Sequence, residues 1–181
     1  MKSLLLFLLS FLAAVPAVAP AQATVVLLVR HAERAPGTGD VAISDQGRAR
    51  ALALAEIGKV AGVSAIITTQ FQRTAQTAAP LAEALSVTPV VVTAQADVAK
   101  HAAEIAEVVK RHAGKTVLVV GHSNTVAAIV AALGGPTFRD FCEPEYDNLI
   151  TVVIDAGGAV RTVRARYGVA TPVDPACAPM R

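Results

Sequence analysis

The chain has 181 residues, with 16 Lys and Arg against 14 Asp and Glu and a formal net charge of +2. That length suits one domain with a substantial core, and so even a charge balance leaves no electrostatic footprint for a nucleic acid. With two cysteines, no CxxC and no Cys/His cluster, a zinc site has little support.

Residues 1–23 read as an export signal. Lys2 is its charged start, Leu4 to Val15 its apolar segment, and Ala21-Gln22-Ala23 a small-x-small cleavage site. Ala17-Val18-Ala19 is a poorer site because Pro20 follows it. The apolar run is short for a membrane span, so cleavage is expected, with an uncleaved anchor as the rival. No second stretch of spanning length follows. The expected product is a domain over residues 24–181 in the periplasm or outside the cell, with no stable membrane span after cleavage.

Thr24 to Val29 is an unbroken β-branched and leucine run, the pattern of a strand covered on both faces. A Pro- and Gly-containing loop over Ala35 to Asp40 follows, and Ser44 is placed to cap a helix reaching about Val60. Arg48, Arg50 and Glu56 are read as polar positions of that helix. Ala65 to Thr68 is a short strand, and Phe71 to Leu85 a helix interrupted in pattern by Pro80. Thr88 to Thr93 reads as a third strand and Val98 to His112 as an amphipathic helix ended by Gly114. Thr116 to Val120 is another fully apolar strand, followed by a helix over Ser123 to Leu133 that Gly134-Gly135 stops. Leu149 to Ile154 and Ala159 to Arg166, joined across Ala156-Gly157-Gly158, form an antiparallel hairpin. A proline-rich tail after Gly168 is expected as coil across the surface.

Alternating strands and helices predict an α/β domain of three layers, α/β/α, with a mainly parallel central sheet and an antiparallel strand near one edge. In such sheets ligands sit beyond the carboxyl ends of parallel strands. Two apolar strands end alike there, one on Arg30-His31 and the other on Gly121-His122. Ser123 or Asn124 is placed to cap the next helix, whose first N–H groups attract an anion. Arg73, opening a helix just after a short strand, reaches the same edge. Singly these are ordinary strand-end and helix residues. Together they suit a phosphoryl group, since guanidinium forks grip its oxygens and an imidazole can attack phosphorus.

Five stretches, VVLLVRHAER, SDQGRARALA, TTQFQRTAQTAAPLAEAL, VLVVGHSNTV and EYDNLI, resemble the histidine phosphatase superfamily, whose fold is phosphoglycerate mutase-like. The resemblance covers most of the chain after the export signal. It implies that His31 is a nucleophile that becomes phosphohistidine, that Arg30 and Arg73 clamp the phosphoryl group, and that His122 stabilises its charge in the transition state. Ser123 and Asn124 join Arg30, Arg73 and His122 as substrate-binding candidates. No metal and no other cofactor is implied.

The sequence departs from the family pattern in places. Ala32 stands where the glycine after the first histidine is usual. Arg34 and Gly37 replace the serine and asparagine of the mutases, which argues against mutase chemistry. Ser123 stands where the acid phosphatase branch has an aspartate, so the proton donor is not carried over from that branch. Asp97, Glu33 and Asp147 are the candidate acids. Asp97 could instead cap a helix, Glu33 pair with an arginine, and Asp147 end a loop. A donor is dispensable if the leaving group is itself good, such as the imidazole of a phosphohistidine protein.

The expected activity is hydrolysis of a phosphomonoester or phosphoramidate through a phosphohistidine intermediate. A phosphorylated small molecule, an envelope glycolipid or a protein is the expected partner, because the short loops at residues 35–43 and 137–148 leave no room for a large cap. The rivals are a phosphate-binding or interaction module without turnover and a periplasmic sugar-phosphate mutase. His101 and His112 are about 16 Å apart along one helix, too far to share an ion, and both are expected on the solvent side. A bridge between Cys142 and Cys177 would close a loop of about 35 residues and add roughly 3–4 kcal/mol.

Overall fold

A computed structural model describes residues 22–172 and 175–177. The export signal expected at residues 1–23 lies, except for its last two positions, outside the described residues. The elements in chain order are β1 (Thr24–Arg30), α1 (Asp45–Val60), β2 (Val63–Thr68), α2 (Gln72–Leu85), β3 (Val90–Val91), α3 (Val98–Lys110), β4 (Thr116–Gly121), α4 (Val126–Ala132), β5 (Asn148–Ile154) and β6 (Val160–Arg166). They build one six-stranded sheet in the order β3-β2-β4-β1-β5-β6. β3, β2, β4 and β1 run parallel, whereas β5 and β6 run antiparallel at one edge.

The unbroken apolar runs are explained by what covers them. Along β1, Val26 and Leu28 pack with Ile105 and Val109 of α3 and Ile129 of α4, while Leu27 and Val29 pack with Leu54 of α1 and Leu81 of α2. In β4, Val117 and Val119 likewise face the first group and Leu118 and Val120 the second. Each strand therefore needs apolar side chains at odd and even positions alike. Every such buried Val or Leu contributes roughly 1.5–3 kcal/mol. The α1 and α2 helices approach so closely that a Cβ on Gly58 would fall 2.4 Å from Leu81 Cδ2.

Several elements differ from the sequence reading. The third strand is only Val90–Val91, an exposed edge, because Pro89 has no N–H for a ladder. The fourth helix begins at Val126, after Ser123 and Asn124, and its N-cap Thr125 makes no side-chain capping bond. Arg50 and His101 were expected among polar or solvent-side positions, yet they are 2% and 0% exposed. Both sit on the inward stripe of their helix, Arg50 with Gly47, Ala51, Leu54 and Gly58, and His101 with Ala102, Ile105, Ala106 and Val109. Residue type argued for the outside, and helical position put them inside. His112 is half-buried.

Among the described residues, the tail after Gly168 has no regular structure but is tied down. Arg50 donates to the Tyr167 and Val169 carbonyls, and Thr171 donates from its N–H and hydroxyl to Asp147. Cys142 and Cys177 are bridged, with Cα atoms 6.2 Å apart, which fixes the tail to the loop before β5.

Candidate active site

Strand register creates the site. Arg30 of β1 lies opposite Gly121 of β4, so the residues that follow, His31 and His122, emerge side by side. The His31 N–H donates to the Gly121 carbonyl at 2.9 Å, and the two imidazole rings stand edge to face with centroids 5.4 Å apart. β2 flanks β4 on its other side; the turn after it supplies Thr69 and Phe71, and the first turn of α2 supplies Arg73. Thr69 Oγ1 lies 3.0 Å from His122 Nε2, and the Phe71 ring stands perpendicular to His122 at 5.4 Å. A Cβ on Gly121 would come within 2.9 Å of Thr125 Oγ1, the atom that accepts the His122 N–H. Glycine is needed there for the close turn that aims His122.

Arg30, His31, Phe71, Arg73 and His122 line a pocket of about 440 Å³, together with Arg34, Ala94 to Ala96, Ser123, Asn124, Thr125 and Glu143. Three arginines and one carboxylate make it an anion site by charge. Burial, opposed by the Ala32 backbone and reinforced by Arg30, His122 and Arg73, pushes the His31 pKa down to about 3. At neutral pH its imidazole is therefore uncharged. Its Nδ1 lies 2.8 Å from the Ala32 carbonyl, which can only accept, so Nδ1 carries the proton and Nε2 the lone pair. Burial, and then Arg73, His101 and Arg30, lower His122 to about 4.

Arg30 is held by the loop before β5. Its guanidinium lies 4.0 Å over the Tyr146 ring, Nη1 donates to the Cys142 and Glu143 carbonyls, and Nη2 to Glu143 Oε2 and the Tyr146 hydroxyl. Arg73 lies 4.2 Å over the Phe71 ring and 3.7 Å from Asp40. Arg30 Nε, Arg73 Nε and His122 Nδ1 are buried with no hydrogen-bond partner. Such groups are normally satisfied, and an oxyanion accepts from donors of this kind.

The structure thus gathers Arg30, His31, Arg73, His122, Ser123 and Asn124 at one pocket. Ser123 and Asn124 stand in the turn before α4, not at its cap. The three candidate acids lie elsewhere. Asp97 caps α3 by accepting the Lys100 N–H at 3.0 Å. Glu33 is gripped by Arg50 Nε and Nη2 at 2.7–3.0 Å. Asp147 is fully buried on Thr171 and Arg166. Glu143, Thr69 and Phe71 were missed in the sequence. Thr69 and Phe71 sit inside the TTQFQRTAQTA stretch, where their position after a strand was the available signal. Glu143 carried none, because its loop is irregular and its partner Arg30 is 113 residues away.

Among the described residues one group, Cys142, Glu145 and Cys177, brings metal-ligand atom types within 4.8 Å. Its sulfurs are bonded to each other, which leaves no thiolate for an ion.

Residues 26–97 match the sequence model of the histidine phosphatase superfamily (branch 1), and no curated protein matches the chain. The fold is similar to that of the protein histidine phosphatase SixA solved with tungstate, at 19% identity and a TM-score of 0.61 over 78% of this chain and 96% of that one. A mycobacterial glucosyl-3-phosphoglycerate phosphatase is similar at 16% identity and TM-score 0.60, over 82% of this chain and 100% of that one. A phosphoserine phosphatase of Entamoeba histolytica, solved with 3-phosphoglyceric acid, is similar at 14% identity and TM-score 0.58, over 81% and 98%.

Proposed function

For a chain with the histidine phosphatase fold, whose residues 26–97 carry that superfamily's sequence, we propose that it is a phosphatase hydrolysing a phosphomonoester or phosphoramidate through a phosphohistidine intermediate. The observation that carries this reading is the state of His31. It is neutral, its Nδ1 proton is committed to Ala32, and it stands among Arg30, Arg73 and His122.

His31 Nε2 attacks phosphorus in line with the departing group. The fixed end of β1 sets the imidazole beside its own clamp, which matters because small misplacements are costly in rate. Arg30, Arg73 and His122 supply donors to the three equatorial oxygens, and Ser123 and Asn124 line the wall. Positioning and electrostatics do most of the work in phosphoryl transfer, and on this reading the donors present suffice without a metal ion. Water then releases phosphate from His31. The proposed location is the periplasm or extracellular space, a reading supported by the expected export signal over residues 1–23 and by the Cys142–Cys177 bridge, since disulfides persist in oxidising compartments. The proposed substrate is a phosphorylated small molecule, an envelope glycolipid or a protein.

The test is turnover of p-nitrophenyl phosphate with labelled phosphorus, quenched in alkali. Label should appear on His31 as an acid-labile phosphoramidate, and His31→Ala should abolish both label and turnover. Turnover by His31→Ala, or label on a serine or aspartate, overturns the mechanism. Phosphate binding by a wild-type protein with no turnover would instead describe a binding module.

A further inference from the structure

An alkoxide is a poor leaving group, so cleavage of an ordinary phosphomonoester needs a proton delivered to the bridging oxygen. Asp97, Glu33 and Asp147 are each committed to partners away from the pocket. Among the described residues, Glu143 is the one carboxylate lining it. From this placement we propose that Glu143 is the proton donor to the leaving group, an inference that rests on the phosphatase reading above.

The loop fixes the backbone of Glu143 and leaves its side chain exposed at the pocket wall. Cys142 is bonded to Cys177, its N–H donates to Glu145 Oε2 at 2.7 Å, and the Cys142 and Glu143 carbonyls both accept from Arg30. The Glu143 side chain, in contrast, is 71% exposed and held by one oxygen, Oε2, at 3.0 Å from Arg30 Nη2. Its other oxygen is 3.9 Å from Arg34. A carboxyl tethered at the pocket wall by one bond to the clamp can turn from Arg30 to the leaving oxygen once a phosphoryl group takes over the guanidinium.

The step balances as follows. The His31 Nε2 lone pair forms the N–P bond, the P–O bond to the leaving group breaks, and the Glu143 proton goes to the departing oxygen, giving an alcohol and a carboxylate. Water then attacks phosphorus and gives its proton to that carboxylate. The P–N electrons return to Nε2, which restores both residues.

Comparison of kcat/KM for p-nitrophenyl phosphate and phenyl phosphate in wild type and Glu143→Gln tests this, since kcat/KM reports the enzyme only up to the first irreversible step. Nitrophenolate leaves with little help and phenolate needs more. The ratio of the two kcat/KM values should therefore rise about 100-fold in the variant, in the range of general acid catalysis, and Glu143→Asp should recover part of it. Effects of the lost charge on binding divide out of the ratio. A ratio equal to that of wild type, whether both substrates slow together or neither does, shows that Glu143 holds Arg30 or does nothing and overturns the proposal. A wild type whose turnover survives His31→Ala fails the phosphatase mechanism instead, a result distinct from an unchanged ratio.

Discussion

Two glutamate–arginine pairs flank the same strand end and do opposite things. In the Glu33–Arg50 pair the side chains are 11% and 1% exposed, and the guanidinium spends its remaining donors on the Tyr167 and Val169 carbonyls. In the Glu143–Arg30 pair the arginine is 3% exposed but the glutamate is 71% exposed, and Arg30 Nε has no partner. One pair is closed, joining the loop after β1 to α1 and the tail. The other is open on the pocket side. Completeness of partners, more than the presence of an ion pair, separates a structural pair from one that chemistry can use.

The sharpest way to break this contrast is to remove each arginine. Arg50→Ala strands the Glu33 carboxylate in the interior, and stranded buried charges cost about 3–5 kcal/mol. A chain of this size should then melt roughly 10 °C lower, measured by urea and thermal unfolding. A melting point within about 2 °C of wild type, equivalent to about half a kcal/mol, would show that Glu33 has other means of compensation. Arg30→Ala should lose less stability, because its carboxylate partner is already in water. It should instead lower kcat/KM for p-nitrophenyl phosphate about 10²–10³-fold, the usual cost of one donor to a developing anion. If the two variants exchange these signatures, the assignment of open and closed pairs is wrong.

A smaller effect tests whether the open side needs a planar fork. Arg73→Lys keeps the charge but loses the guanidinium over Phe71, and an ammonium does not reproduce its geometry. Activity should fall on the order of 10-fold, corresponding to about 1.4 kcal/mol, with the unfolding midpoint little moved. Wild-type turnover in this variant would remove Arg73 from the clamp.

The remaining effect is one of pH. Unfolded histidine takes up a proton near 6.5, whereas in the fold His31 and His122 do so only near about 3 and about 4. Between those values the unfolded chain binds more protons, so the stability from these neutral imidazoles is full above about pH 6.5 and is lost as pH falls through the window. His101, also lowered by burial, adds to the same slope. Urea midpoints measured from pH 7 to 4.5 should decline, and His122→Asn should flatten the decline. The same midpoints held constant across that range would contradict the neutral pocket.

Much of the site was legible because its signals are local. The apolar runs of β1 and β4 dictate strands buried on both faces, and the polar residues that end them, Arg30-His31 and Gly121-His122, lie where parallel strands present ligands. Arg73 followed from its place after β2. The helix over Asp45–Val60 was announced by Ser44, which does accept the Gly47 N–H. In each case a few neighbouring residues carry the instruction.

Other features depend on segments far apart in sequence, and only the tertiary structure decided them. Arg30 meets Glu143 across 113 residues, and Arg50 meets the Tyr167 carbonyl across 117. A charged side chain has the same local signature in water, in a closed pair or at a pocket wall. Its partner is chosen by which loops the sheet order brings together. By itself the sequence determined the long central strands and placed the two histidines at one sheet edge as a candidate anion site. The packing of β5, its preceding loop and the bridged tail against β1 decided which carboxylate faces the pocket and which arginine is locked away, because burial and partner geometry exist only once those distant segments meet.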